Sequence, residues 1–328
     1  MADLNSEFST FHDRIALTSS KKASLRTSRN ANRERIRQYF RDTLKILIPK
    51  FRGQGSYAMG TTVNPINGEY DIDDGVYLQH LDKQDDSNWP TAATVHNWLV
   101  KATEGPTNEK PMDKRTCVRV RYAGQYHVDL PSYGELNGDY LLSVKGEAKW
   151  PHSDPLALTD WFLGQVKSHG EQLRRMVRYL KAWADFQSKR RGKMPNGLIL
   201  TAIVANHFRG HEKDDVALAN TVQAISNAVS SLFYVLNPVD FSEELTSRLT
   251  DVQKSRFQEA ISTAAKDTNE AITMDDRHEA SKQWRKQFGD RFPLVENAQT
   301  NEAKEQMAVG FACHHQAKKP PKPWGWPV

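Results

Sequence analysis

The sequence predicts an α/β (α+β) protein of two lobes, a mixed sheet with helices against it in the first half and a helical lobe in the second. Three observations predict this. Short runs of β-branched and aromatic residues lie between residues 71 and 144, divided by Gly, Pro and Asn turns. From Asp154 onward, apolar residues recur at three- and four-residue spacing. A small-residue turn, Gly55-Ser56-Tyr57-Ala58-Met59-Gly60-Thr61, precedes a strand that opens on carboxylates, Asp71-Ile72-Asp73-Asp74-Gly75-Val76-Tyr77-Leu78. The expected division is 1–150 for the sheet lobe with a long amino-terminal helix, 151–310 for the helical lobe, and 311–328 for a Pro-rich tail.

Taken in order, Ile36, Tyr39, Phe40, Leu44 and Leu47 predict a helix over about 24–48, ending near Pro49. Arg26, Arg29, Arg33, Arg35, Arg37 and Arg41 decorate it and read as a solvated basic face. Pro90 and the Thr-Ala run after it start a second helix, with Val95, Trp98 and Leu99 on one side. Strands follow over 117–121 and 126–130, joined by a tight turn, and a further strand over 140–144. Asp154-Pro155 reads as a helix cap with Pro at the first position. Helices are then expected over about 169–188, 197–208, 216–236, 242–266 and 273–288, with Asn237-Pro238 as a stop.

Composition narrows the class. The chain has 328 residues, 38% hydrophobic and 26% charged, as expected of a globular protein with a polar surface. No apolar run approaches the roughly 20 residues of a membrane helix, and no signal peptide is apparent. Two cysteines, Cys117 and Cys313, make no disulfide framework, so a reducing, cytoplasmic setting is expected. The net charge of +5 and pI near 9.0 fit either a polynucleotide surface or a pocket that collects anionic triphosphates.

The chemistry sits in the turn and the acidic strand. Strand side chains alternate faces, so Asp71 and Asp73 share one. Two acids so close repel unless a cation lies between them, and a pair of divalent metals is the usual solution. The Gly-Ser turn can offer backbone N–H groups and a hydroxyl to phosphates. Asp129, on a later strand with His127 on its face, completes a set of three carboxylates. A third acid can bind one metal and orient or deprotonate an attacking hydroxyl.

With Gln54-Gly55-Ser56-Tyr57, the Asp71–Leu78 run and His127-Val128-Asp129-Leu130-Pro131 in hand, the chain resembles the DNA-polymerase-β-type nucleotidyltransferases. More closely it resembles the bacterial cGAS/DncV-like nucleotidyltransferases (CD-NTases) of anti-phage signalling systems. Trp150-x-x-Ser153-Asp154-Pro155, Arg178-Tyr179-Leu180-Lys181-Ala182-Trp183 and Phe288-Gly289-Asp290-Arg291-Phe292-Pro293 extend the likeness over about 50–295. The resemblance implies a two-lobed polymerase-β-like fold and two Mg²⁺ ions, with Mn²⁺ as a substitute, on Asp71, Asp73 and Asp129. It implies ATP and GTP as substrates, held by Gln54, Gly55 and Ser56 at the donor phosphates and by Lys181 at the triphosphate. Arg119 would contact the other nucleotide, and Asn196 would make a small polar phosphate contact. The implied product is a cyclic dinucleotide second messenger, cyclic GMP-AMP first. Met59 stands where the family's namesake has an aromatic residue able to stack on a base, so base choice can differ. A regulatory partner or attachment of the tail is implied as the restraint on activity; neither a membrane nor a nucleic acid is required.

Two alternatives use the same acids differently: an RNA-directed terminal nucleotidyltransferase, and a catalytically silent nucleotide sensor. Three intact acids argue against the second. Cys313-His314-His315 reads as a surface loop, since a structural zinc site needs four ligands and Cys117 belongs to the core sheet.

Overall fold

The computed structural model describes residues 2–297, apart from Asn67, Pro106, Asn108 and Gln125. The tail and Cys313-His314-His315 lie outside the described residues. The chain begins with α1 (Asn5–Ile15) and α2 (Ser19–Gln38), the latter running into a wide π-helical turn over Tyr39–Leu44. The sheet lobe follows: β1 (Lys50–Gln54), α3 (Gly55–Met59), β2 (Tyr70–Tyr77), α4 (Ala92–Thr103), β3 (Met112–Asp113), β4 (Val118–Tyr122), β5 (Tyr126–Leu130), β6 (Ser132–Leu136) and β7 (Asp139–Leu142). Then come α5 (Pro155–His169), α6 (Glu171–Arg191), α7 (Gly197–His207), α8 (Asp214–Val229), the hairpin β8 (Leu236–Asn237) and β9 (Asp240–Glu244), α9 (Asp251–Thr273) and α10 (Arg277–Phe288).

β2 is the centre of a mixed seven-stranded sheet. β1 lies antiparallel along one of its edges, while β5 and then β6 lie parallel along the other. Pro131, between those two strands, keeps its carbonyl in the pairing by accepting the Val76 N–H at 2.8 Å. β4 and β3 extend the sheet beyond β5, and β7 extends it beyond β6. One core packs α2, the π-helical turn and α4 on the sheet through Leu25, Ile36, Phe40, Val95 and Leu99. A second core fills the helical lobe around α6. Among the described residues, no helix is long and apolar enough to cross a membrane.

Several expectations change. The amino-terminal helix starts at Ser19 and ends at Leu44, where Lys45 turns left-handed, rather than running over 24–48. An unforeseen helix, α1, precedes it. Its Phe8, Phe11 and Ile15 are fully buried in the helical lobe's core, where Phe8 meets Trp284 edge-on at 4.8 Å between ring centroids. The span expected to be helical over 242–266 opens as β9, and its helix runs instead over Asp251–Thr273 behind a Thr250–Gln253 capping box. Asn237 and Pro238 belong to the β8–β9 hairpin, so the 216–236 helix already ends at Val229. The cap at Asp154 is present: its carboxylate accepts the Leu156 and Ala157 N–H groups at 3.0 and 2.9 Å.

The basic face of α2 is also more than solvated. Asp74 points away from Asp73 across the strand, is fully buried, and takes the fork of Arg33, Nε to Oδ2 at 2.7 Å. Arg33 and Arg37 lie over the Phe51 ring at 5.5 and 5.1 Å. This pair fastens α2 to β2 behind the acidic strand. Removing Arg33 leaves a buried carboxylate without a counter-charge. Arg33→Ala is therefore expected to cost about 3–5 kcal/mol in denaturant unfolding, whereas Arg26→Ala, at an exposed position, stays within about 0.5 kcal/mol.

Candidate active site

The site is built on the register of two parallel strands. β2 and β5 pair so that Asp71 lies beside His127 and Asp73 beside Asp129. Side chains two apart share a face, so two strands bring all four groups to one side of the sheet. Antiparallel β4 then sets Arg119 opposite Asp129 and Arg121 opposite His127. The Arg119 fork closes on the Asp129 carboxylate with two 2.7 Å bonds. The arginine expected to meet a nucleotide thus lies on the third acid.

The turn before β2 is shaped by Asp73. Gly55 opens α3 with φ +67°, and a Cβ there would stand 2.2 Å from Asp73 Oδ2. Only glycine lets the backbone pass so close. Gly75 does the same for Gln54, whose Oε1 would lie 2.5 Å from an added Cβ. Gln54 is buried, pairs with Asp73 across the strands, and donates Nε2–H to the Tyr133 hydroxyl at 2.9 Å. Ser56 shares a hydrogen bond with Thr62, Oγ to Oγ1 at 2.8 Å.

The other lobe grips the same turn. Arg174 donates Nε–H to Met59 O at 3.0 Å, Arg178 donates Nε–H to Gly60 O at 2.8 Å, and Lys181 donates to Thr61 Oγ1 at 2.9 Å. These three residues recur at spacings of four and three, one face of α6. A cavity of about 460 Å³ lies between the lobes, lined by Gly55, Ser56, Asp71, Asp73, Lys181 and Gly197 among others. Asn196 caps α7 with its Oδ1, which accepts the Leu198 and Ile199 N–H groups at 3.0 Å each. Its neighbour Gly197 lines the cavity in its stead. Met59 is buried, contributes to the cavity wall, and belongs to the helical lobe's core.

Charge in this cavity is unbalanced in two complementary ways. Burial, then Asp71 and Asp129, push the Asp73 carboxyl well above the usual range. Burial also raises Asp71, with Asp129 adding to it and His127, Arg119 and Lys181 opposing it. Burial pushes Lys181 down to about 8, with Arg178 adding to it and Asp71 and Asp73 opposing it. Arg119 pairs directly only with Asp129, so Asp71 and Asp73 still call for a cation, and the buried lysine for an anion. Asp71, His127 and Asp129 bring one ligand atom each within 4.8 Å of one another, so the residues present fit a divalent metal ion beside a phosphate.

Residues 49–133 match the family described as "Cyclic GMP-AMP synthase DncV-like, nucleotidyltransferase domain", and residues 170–302 match "Cyclic GMP-AMP synthase, C-terminal domain". The chain belongs to the DncV-like nucleotidyltransferases. It is 28% identical over 254 residues to a cyclic GMP-AMP synthase of Escherichia albertii, a match covering 74% of this chain. The chain spans only 55% of that relative's length. It is 24% identical to a probable cyclic AMP-AMP-GMP nucleotide synthase of Salmonella paratyphi B, covering 89% of this chain and 92% of that one. The fold matches the apo crystal structure of Vibrio cholerae DncV with a TM-score of 0.76 at 19% identity, over 89% of this chain and 96% of that one. A DncV-like protein thus shares the polymerase-β-like architecture.

Lys181 is legible as a site residue in the sequence, and Arg178 stands in the same quoted motif without a role; Arg174 was passed over, although the 174/178/181 spacing was the available signal. Thr61 closed the quoted turn without a role, and Thr62, one residue beyond it, was not singled out. Glu69 had no signal, because only strand register brings it to His127.

The Gly55–Asp73 contact yields a direct test. Wild-type protein is expected to melt at a higher temperature when a divalent cation is added. In Gly55→Ala, whose methyl would displace the Asp73 carboxylate, the rise in Tm should vanish. Gly53→Ala, with nothing within 4 Å of the added Cβ, should keep it. Equal rises in both variants would show that the close approach of turn and acid is irrelevant to cation binding.

Proposed function

We propose that the chain is a metal-dependent nucleotidyltransferase that joins two nucleoside triphosphates into a cyclic dinucleotide, with cyclic GMP-AMP as the leading product. The observation that carries this reading is the facing of three carboxylates from paired strands, beside a cavity that also holds Ser56 and Lys181. The likeness to synthases named for cyclic GMP-AMP supports it.

Asp71, Asp73 and Asp129 would hold the divalent ions, Mg²⁺ or Mn²⁺. Bound there, such ions lower the pKa of an attacking hydroxyl and stabilise the departing phosphate oxygens. Ser56 and the Gly55 backbone bind the donor's β- and γ-phosphates, while Gln54 braces the turn from behind through Tyr133. Lys181 supplies a point charge to the triphosphate. The acceptor ribose hydroxyl attacks the α-phosphate, forming a new P–O bond. The bond from that phosphorus to the bridging oxygen breaks, pyrophosphate leaves, and Asp129 takes the hydroxyl proton. Arg119 holds Asp129 until nucleotide phosphates offer its fork another anion. A second transfer within the linear intermediate closes the ring. Its product would serve the anti-phage signalling that the family resemblance implies.

Incubation with all four nucleoside triphosphates and Mg²⁺, resolved by mass spectrometry, tests this directly. The expected product is a cyclic dinucleotide of adenine and guanine, slowed about 10²–10⁴-fold in Asp129→Asn. Extension of added RNA with no cyclic product would replace this reading by the RNA-directed one.

Lys181 makes a second, pH-dependent prediction. Its pKa of about 8 lies below the 10.5 of a free lysine. Between those values the folded chain therefore holds fewer protons than the unfolded chain, and Lys181 adds stability as pH rises through that window. A triphosphate seated on the ammonium reverses the shift. Near pH 8.5, ATP binding should take up a proton, read by calorimetry in buffers of differing ionisation enthalpy. Affinity should fall at higher pH, and Lys181→Met should abolish the uptake. Uptake unchanged in that variant would place the triphosphate away from Lys181.

A further inference from the structure

His127 is buried in the acid cluster, 4% exposed, and the transfer reaction gives it no task. Its ring is held from behind. Nδ1 lies 2.9 Å from Glu69 Oε2, and the same carboxylate has Arg121 Nε 3.5 Å away on its other oxygen. Glu69 lines the cavity, so this brace stands at its edge. With Glu69 accepting the Nδ1 proton, the lone pair of a neutral ring is left on Nε2.

That nitrogen faces the acids. It lies 3.7 Å from Asp71 Oδ2 and 3.8 Å from Asp129 Oδ2, beyond hydrogen-bond distance, and has no hydrogen-bond partner. Two carboxylates converging on that nitrogen repel each other, and a cation among the three groups offsets the repulsion. An ion bound at about 2.0–2.2 Å to each ligand in a tetrahedron spans edges of about 3.3–3.6 Å, so the three side chains need close by only a few tenths of an ångström around it. Arg119 now covers both oxygens of Asp129 and has to yield one.

We propose that His127 is itself a metal ligand: its Nε2 joins Asp71 and Asp129 on one ion, and Glu69 fixes the ring through Nδ1. This rests on the reading that the acids hold metal. Mg²⁺ takes oxygen ligands and parts reluctantly with its waters; Mn²⁺ also suits oxygen, but it opens the first-row series whose later members take imidazole readily. The nitrogen therefore tilts this position away from Mg²⁺ and toward a first-row ion, of which Mn²⁺ is the one most like Mg²⁺. Glu69 acts through His127 as a positioning residue, the carboxylate–histidine–metal arrangement in which loss of the outer partner weakens binding about 10–100-fold.

The test uses the full chain with Mn²⁺ alone as the probe. Pulsed electron paramagnetic resonance of the bound ion in the unaltered protein is expected to show coupling to a ¹⁴N nucleus, lost in His127→Gln. Mn²⁺ affinity should fall about 10–100-fold in Glu69→Gln and at least as far in His127→Gln. Mg²⁺ affinity, read by competition, should fall less. Bound Mn²⁺ without ¹⁴N coupling, no Mn²⁺ binding, or equal losses for the two ions in His127→Gln would each overturn the proposal. The coupling is read in the unaltered protein, so a variant that fails to fold does not decide it. Product formation in Mg²⁺ is scored separately: products without ¹⁴N coupling overturn the His127 ligand alone. Coupling without products overturns the transfer reaction and leaves the ligand standing.

Discussion

The repulsion among Asp71, Asp73 and Asp129 is the constraint on which the rest of the site depends. Register forces them together: β2 and β5 run parallel, and neither acid on β2 can leave its face without a slip that would also expose Ile72. The surroundings answer that repulsion piece by piece. Arg119 neutralises Asp129 across the β4–β5 pair, Lys181 approaches from the other lobe, and Asp74 is turned away to Arg33. Arg119 and Lys181 relieve Asp73 only in part, and its carboxyl stays well above its ordinary range. Gly55, the residue whose missing Cβ admits it, opens the turn on which Ser56 lies. The most strained acid and the small-residue turn form a single unit.

That unit belongs to both lobes at once. α6 buries Tyr179, Leu180 and Trp183 in the helical core, while its Arg174, Arg178 and Lys181 hold the Met59–Thr61 carbonyls and hydroxyl. The turn cannot shift relative to the acids without breaking hydrogen bonds to charged groups, which are worth more than neutral ones. Arg291 strengthens the clasp by donating to Asn64 O and Ala182 O, one on each side of the cleft. The placing of Lys181 opposite Asp71 and Asp73 is thus set by two hydrophobic cores and a shared turn, with no need of a bound ligand.

What could be read from the sequence divides along physical lines. Local signals were legible: the alternation in Asp71–Leu78, the Asp154-Pro155 cap, and the periodicity of α6 and α7 all mark their elements within a few residues. Signals that depend on partners distant in the chain were not. Ser19 and Ser20 open α2 behind a Thr18 cap that its weakly apolar first turns do not advertise. α1 has the periodicity of a short helix, but its reason to form is the helical lobe's aromatic core. The same limit divides the site. Asp71, Asp73, Ser56 and Asp129 lie in short motifs, whereas the Arg119–Asp129 fork, the Glu69–His127 brace and the Arg33–Asp74 pair exist only through register and packing. Asn196 has a role that the sequence reading did not assign: a polar residue before a helix is first of all a cap, and its oxygen is taken up by the backbone.

Met59 bears on the cavity wall in the same way. An aromatic residue at this position could offer a face to a base, but Met59 faces the helical core as well as the cavity and is 4% exposed. It fills a wall and offers no platform for stacking. The neighbouring apolar lining, Leu158 and Leu198, is equally indifferent to which purine it meets. Apolar fit discriminates weakly, whereas a site that hydrogen-bonds a particular group rejects analogues lacking it far more strongly. If nucleotides bind here, selection between adenine and guanine therefore rests on the polar groups of the same walls. Thr201 is one of them, although its hydroxyl already donates to Gly197 O at 2.7 Å. Its oxygen can still accept, and an acceptor at that place favours whichever purine edge presents an N–H to it.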